Sequence, residues 1–386
     1  MLGSLLAVPI PYGRQSIDAS DVAAVTEVLE SDWLTQGPAV RAFEESIEKA
    51  CDVPHAVAFS SGTAALHGAT LAAGLGEGDE LLTSALTFAA SANCGAYVGA
   101  TPRLADIDPD TLNVSPDTVR AALTPKTRAL VPVDFTGLPV DAAALRQTVG
   151  DDVVVIQDAS HALGAHDGEA PVGSCVHADM TVFSFHPVKT IAAGEGGMVT
   201  TRDPELKRRL ALFRSHGITK DPQLLTKANA GGWYQEQHEL GFNYRLSDIH
   251  SALGRSQMRR LEEFVAARNA VAARYREGLG DIDQLMLPPE APGGARHAYH
   301  LFVVSHREGA PARRQLYDGL REREILAQVH YLPVHLQPWY ERTYGYGAGL
   351  CPNAERVYEG CLSLPCFPTL TREDQDLVIE AVRELA

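Results

Sequence analysis

No run of about 20 apolar residues occurs anywhere in this 386-residue chain, so a membrane-spanning helix is not expected. Met1 to Tyr12 is mildly apolar, but it lacks a basic start and is broken by Pro9 and Pro11, a poor pattern for a secretion signal. Positive charge is also scarce: 33 Lys and Arg stand against 49 Asp and Glu, a net charge of −16. Non-specific nucleic-acid binding needs clustered cations that displace counterions. The densest cluster, Lys207-Arg208-Arg209, falls on an expected helix and reads as a solvated face. Cysteine is sparse and unpatterned. None of Cys51, Cys94, Cys175, Cys351, Cys361 and Cys366 forms a C-x-x-C pair or fits a metal-binding spacing, so no metal site is expected. Scattered cysteines in a long chain suit a reduced, cytoplasmic protein. Internal repeats and low-complexity segments are absent too.

What the chain does contain is an alternation of short apolar runs with helical patterns. Strands are expected at His55–Phe59, Leu81–Thr83, Arg128–Val133, Val153–Ile156, Thr181–Phe185 and Met198–Thr200. Helices are expected at Thr63–Ala73 and from about Phe88 to Tyr97. Strands with little alternation, separated by helices, indicate an α/β protein with a mostly parallel central sheet covered on both faces. An amphipathic stretch from Leu246 to about Leu279 reads as the join to a second unit, followed by the Pro/Gly-rich break Pro288–Gly294. Beyond it the pattern predicts a strand at Tyr299–Val304, a helix at Ala312–Arg321, a strand at Ala327–His330 and two final helices. The expected organisation is a large domain over residues 1–255 and a linking helix with a smaller α+β domain over 256–386.

Ligands of open parallel sheets bind beyond the carboxyl ends of the strands, and three strand ends stand out. Ser60-Ser61-Gly62-Thr63-Ala64-Ala65 turns from strand to helix with free N–H groups and hydroxyls, which suits a phosphate; simple helix capping is the plainer alternative. Asp158 follows a buried strand and needs a cationic partner there; capping of the next segment is again the alternative. Lys189 lies in Ser184-Phe185-His186-Pro187-Val188-Lys189-Thr190, just before the Gly194–Gly197 loop. It is either a surface charge or a Schiff-base amine. A phosphate cradle, a carboxylate and a lysine at successive strand ends meet the three demands of pyridoxal 5'-phosphate: an anchored phosphate, a protonated ring nitrogen and a primary amine for the aldehyde.

The chain resembles the DegT/DnrJ/EryC1/StrS family of sugar aminotransferases over nearly its whole length. The matching stretches are Ile10–Gln15, Ser31–Thr35, Ser60–Leu66, Phe183–Lys189 with Gly194–Gly197, Leu240–Arg245 and His330–His335. The resemblance implies fold type I of the pyridoxal-phosphate transferases (aspartate aminotransferase-like) and a homodimer with shared active sites. It also implies roles. Lys189 would hold the cofactor covalently, and Asp158 would pair with its ring nitrogen. Gly62, Thr63 and Ser184 would bind its phosphate, and Asn243 would reach the phosphate of the neighbouring subunit. Phe88 would pack on the ring, with His161 near its oxygen. Tyr12, Asp32, Trp33, Leu34, Thr35, Ser61, His330, Tyr331, Leu332 and Pro333 would contact the nucleotide sugar.

Phe185–Thr190 is most similar to the branch that aminates a UDP-linked 4-keto-6-deoxy-N-acetylhexosamine at C4, with L-glutamate as donor, for pseudaminic acid-type sugars. Thr190 stands where the wider family often has Asn. Family members that dehydrate rather than aminate carry His in place of the lysine, so Lys189 implies amination. Rival readings are an aminotransferase for a UDP-4-keto-pentose or dTDP-keto-hexose and a catalytically silent cofactor-binding regulator. A Rossmann dehydrogenase is a further rival, but the first strand-to-helix turn lacks G-x-G-x-x-G.

Overall fold

The computed structural model describes residues 9–227 and 231–386. A short first strand, β1 (Ile10–Pro11), precedes the seven strands of the central sheet. These are β2 (His55–Phe59), β3 (Glu80–Ser84), β4 (Thr101–Ala105), β5 (Thr127–Val131), β6 (Val154–Asp158), β7 (Met180–Ser184) and β8 (Gly197–Thr201). Their order is β2-β8-β7-β6-β5-β3-β4. Strand β8 runs antiparallel to both neighbours, and the other pairings are parallel. Both faces are covered, as unalternating apolar strands require. Val57 and Phe59 of β2 pack with Ala65, Ala69 and Phe213 on one side. Ala56 and Ala58 pack with Phe43, Ile47, Phe183 and Phe264 on the other. Six expected strands are present within a few residues of their predicted ends.

Strand β4 was not expected, because Pro102 interrupts its pattern. It is an edge strand paired only with β3, the setting in which a residue without an N–H is tolerated. The stretch from Leu246 to Leu279 is two helices, Asp248–Met258 and Leu261–Leu279, separated at Arg259 and Arg260. In the C-terminal part, Leu285–Met286, Phe302–His306 and Cys361–Leu364 form an antiparallel sheet. The strand expected at Tyr299–Val304 is thus shifted to Phe302–His306. The region of Ala327–His330 contributes one bridge, Gln328 with Ser363, beside a two-residue strand at Ile325–Leu326. Three helices follow, Pro338–Tyr344, Pro352–Gly360 and Arg372–Leu385, rather than two. β1 pairs in parallel with Ile325–Leu326, and Ile10 joins the core built by Tyr275, Phe302, Leu320 and Val378.

The topology brings the ends of β2, β3, β5, β6 and β7 and the start of β8 to one edge of the sheet. Phe59 and Ser184 both register with Gly197. This register places Ser60–Thr63, Asp158, Ser184 and the loop carrying Lys189 side by side.

Candidate active site

A cavity of about 580 Å³ opens at this edge. Of the residues singled out in the sequence, Tyr12, Ser61, Gly62, Thr63, Phe88, Asp158, His161, Ser184, Lys189, His330 and Tyr331 line it.

One corner of the cavity is built on the start of the helix Gly62–Ala72. Ser61 caps it by accepting from the Ala64 N–H at 3.1 Å, so the capping role is real. The cap and the cavity wall are one structure, because Ser61, Gly62 and Thr63 all face the void. Glycine is required at position 62: a Cβ there would lie 2.9 Å from the Ser184 Cβ. Gly197 is tighter still, since its Cβ would lie 2.3 Å from the Ser61 carbonyl oxygen. The helix N-terminus, with its orphan N–H groups and partial positive charge, thus sits against the Ser184 side chain.

Asp158 closes β6 and is buried. Its carboxylate accepts from the Ser91 hydroxyl at 2.7 Å, the Ser160 hydroxyl at 2.6 Å and the Ser160 N–H at 3.1 Å. No helix follows it, so it caps a local turn instead. Among the described residues it has no cationic partner within 4.0 Å. Three hydrogen bonds orient it without neutralising it, which leaves it fit for a cation inside the cavity.

Lys189 is half-buried, with its accessible surface on the cavity side. Among the described residues its amine makes no ion pair within 4.0 Å. Burial lowers its pKa to about 8; Asp158 opposes that shift and Arg268 adds to it. Three buried histidines stand near it. Burial holds His161 and His300 well below the usual imidazole value and His330 at about 4, so all three are neutral at ordinary pH. The His161 and His300 rings lie 4.3 Å apart, and the Nδ1 of each is buried without a partner. Tyr12 packs on His330 at 5.1 Å, and Phe88 approaches Tyr331 at 5.9 Å. Burial raises both tyrosine pKa values, so these phenols stay protonated.

Other expected site residues lie elsewhere. Asp32, Trp33, Leu34 and Thr35 are exposed and line no part of this cavity. They run beside the helix Asp248–Met258, where the Leu34 carbonyl accepts from Asp248 and Thr35 bridges Ser247. Asn243 is exposed and outside the cavity of its own chain, bridged to Ser215. Leu332 and Pro333 follow Tyr331 in the chain but do not line the cavity. Sequence reasoning missed Ser91, Ser160, His300 and Glu195. Ser160 carried a signal, two residues past Asp158, where an Asx turn forms. Ser91 and His300 carried none, since only the fold brings them to Asp158 and His161.

The residues fit pyridoxal 5'-phosphate. An unpaired amine, an oriented carboxylate lacking a cation, and a helix N-terminus packed on a serine side chain share one cavity. A pyridoxal-phosphate-dependent α/β transferase is the class that such a sheet and site suit. The comparisons agree: the chain belongs to the DegT/DnrJ/EryC1/StrS aminotransferase family, whose model matches residues 15–383. Enzymes of this family depend on pyridoxal 5'-phosphate, and their subunits have the type I fold seen here. The chain is 40% identical to the spore coat polysaccharide biosynthesis protein SpsC of Bacillus subtilis, over 97% of both chains. Among solved structures it is similar to the PMP form of the putative sugar aminotransferase Spr1654 of Streptococcus pneumoniae. The TM-score is 0.91 at 27% identity, over 97% of this chain and 98% of that one. Helicobacter pylori PseC, described as an aminotransferase of pseudoaminic acid biosynthesis, gives a TM-score of 0.89 at 30% identity over 98% and 99%.

Proposed function

We propose that the protein transfers an amino group from L-glutamate to C4 of a nucleotide-linked 4-keto sugar, specifically a UDP-4-keto-6-deoxy-N-acetylhexosamine, giving a precursor of a pseudaminic acid-type sugar. The observation that carries the reading is the unpaired Lys189 amine sharing a cavity with Asp158. The match to PseC and the Phe185–Thr190 stretch support the finer substrate assignment. The higher identity to SpsC favours a second reading within the class, another keto-sugar destined for a surface polysaccharide.

Bound pyridoxal 5'-phosphate supplies an aldehyde that carries the amino group and a ring that takes up electrons during its transfer. The chain's own residues would do the rest. Lys189 would hold the cofactor covalently and, once displaced by the donor, would move a proton from the donor α-carbon as general base and return one as general acid. A pKa near neutrality suits both directions. Asp158, fixed by Ser91 and Ser160, would keep a proton on the ring nitrogen. Gly62, Thr63 and Ser184 would receive the phosphate at the helix N-terminus. Phe88 would cover the ring face, and His161 would meet its oxygen as a neutral donor or acceptor. Tyr12, Ser61, His330 and Tyr331 would line the sugar's approach, with Leu332 and Pro333 supporting it from behind.

The assignment of Asn243 and of Asp32–Thr35 to the site belongs with a homodimer in which each subunit completes the other's cavity. The exposure of these residues, and of Phe242, supports it. The division at residue 255 into a cofactor-binding domain and a smaller domain is part of the same proposal, as is a cytoplasmic location, which six free, buried cysteines suit. Among the described residues no helix is long and apolar enough to cross a membrane.

The test is a two-stage absorbance assay. Glutamate alone should convert the cofactor spectrum, and a panel of UDP- and dTDP-linked 4-keto sugars should restore it. Restoration by the UDP-N-acetylhexosamine ketone supports the finer reading; restoration only by a pentose or dTDP ketone moves the protein to another branch. No response to any keto sugar after a clean glutamate stage would remove sugar from the assignment.

A further inference from the structure

Behind the cavity wall lies a charge that the proposed cycle does not use. Arg268, on the helix Leu261–Leu279, is fully buried. A buried arginine is ordinarily paired with a carboxylate. Among the described residues Arg268 has none within 4.0 Å, and its Nε–H has no partner. Its donors go to carbonyls instead. Nη1 donates to Cys366 at 2.6 Å and to Tyr299 and His300 at 3.2 Å, and Nη2 donates to Val188 at 3.5 Å. Three of these carbonyls belong to the C-terminal part of the chain. The fourth belongs to the residue before Lys189.

We propose that Arg268 is a positioning residue for Lys189, tying the Val188 carbonyl to those of Tyr299, His300 and Cys366 and holding a positive charge with no carboxylate partner against the segment that carries the amine. A guanidinium fork can reach several carbonyls at once, whereas an ammonium is a compact point donor. The charge does separate work. The groups facing Lys189 are Asp158, which favours the ammonium, and His161, His300 and His330, which are neutral by burial. His186, Glu195, Tyr12 and Tyr331 line the same cavity. Arg268 is the one lasting cation among the groups that shift the amine, and it opposes Asp158. With it in place a larger share of Lys189 is the free amine, the form that can attack an aldehyde.

The inference rests on Lys189 being the cofactor-binding lysine, and the test keeps the two apart. Full-length chain freed of cofactor is labelled briefly with acetic anhydride across a range of pH, and acetylation of the Lys189 peptide is read by mass spectrometry. In the unsubstituted protein labelling should be half-maximal near pH 8. Arg268→Met should move the midpoint upward, so that labelling at neutral pH slows several-fold. Arg268→Gln keeps a side-chain amide donor but removes the charge, and should also move the midpoint upward. A folded Arg268→Met protein with an unchanged midpoint overturns the proposal. If Arg268→Met does not fold, the glutamine variant decides: a midpoint displaced upward supports the charge role, and one like the parent's overturns it. A failure of cofactor to attach to Lys189 in the parent protein would sink the Lys189 reading without touching this midpoint comparison.

Discussion

At the residue scale the proposed chemistry depends on two side chains whose surroundings differ. Lys189 is half-buried and has gained no ion-pair partner; Asp158 is buried and has gained three hydrogen bonds. Lys189→Ala should lower turnover by about 10⁴-fold or more, because it removes both the covalent tether and the proton carrier. Steady-state amino transfer measures this, and turnover within tenfold of the parent would contradict the role. Asp158→Asn should reduce the rate about 10²-fold or more, since a neutral amide does not hold a proton on the ring nitrogen. Cofactor capture should also follow the amine's ionisation. The depressed pKa makes capture rise with pH up to about 8 and then level off, rather than climbing toward the ordinary lysine value. Stopped-flow absorbance of cofactor binding across pH checks the sign and the plateau.

At the scale of single elements, the helix Gly62–Ala72 and its junction with β8 shape the corner where the phosphate is proposed to bind. Ser61→Ala removes the cap and should cost about 1 kcal/mol of stability, visible as a lower melting temperature. Gly197→Ala should cost more, about 1–3 kcal/mol, and should weaken cofactor binding, because the added methyl meets a backbone carbonyl that cannot swing away. An unaltered melting curve for Gly197→Ala would contradict that packing. The elements also show what the sequence could and could not disclose. Buried parallel strands announce themselves as apolar runs, so β2, β3 and β5–β8 were legible. Strand β4 was hidden by Pro102, harmless only because the strand is an edge. The split at Arg259–Arg260 was hidden because neither a glycine nor a proline marks it. Strand-end residues such as Ser61, Asp158 and Lys189 could be read because the sheet's polarity fixes where they go. Ser91, His300 and Arg268 could not, because long-range packing brings them to the site.

At the scale of the whole molecule, the cavity draws on both parts of the chain. Its floor comes from strand ends before residue 200. Part of its wall comes from His300, His330 and Tyr331, and Tyr12 reaches it from the N-terminal segment, whose carbonyl is held by the Cys366 N–H. Completion of the site by a second copy would make Asn243 and Lys189 act from different subunits. Co-expressing Lys189→Ala with Asn243→Ala chains should then restore activity at about a quarter of the sites, because half the dimers are mixed and each holds one intact site. No recovery in the mixture would argue that each chain works alone. All of this requires that the amine at position 189 be the one that takes the cofactor. Borohydride reduction of the cofactor-loaded protein, followed by peptide mass spectrometry, tests it directly. The account predicts a single stable cofactor adduct on the peptide containing Lys189. An adduct on another lysine, or none while the cofactor remains bound, would contradict it.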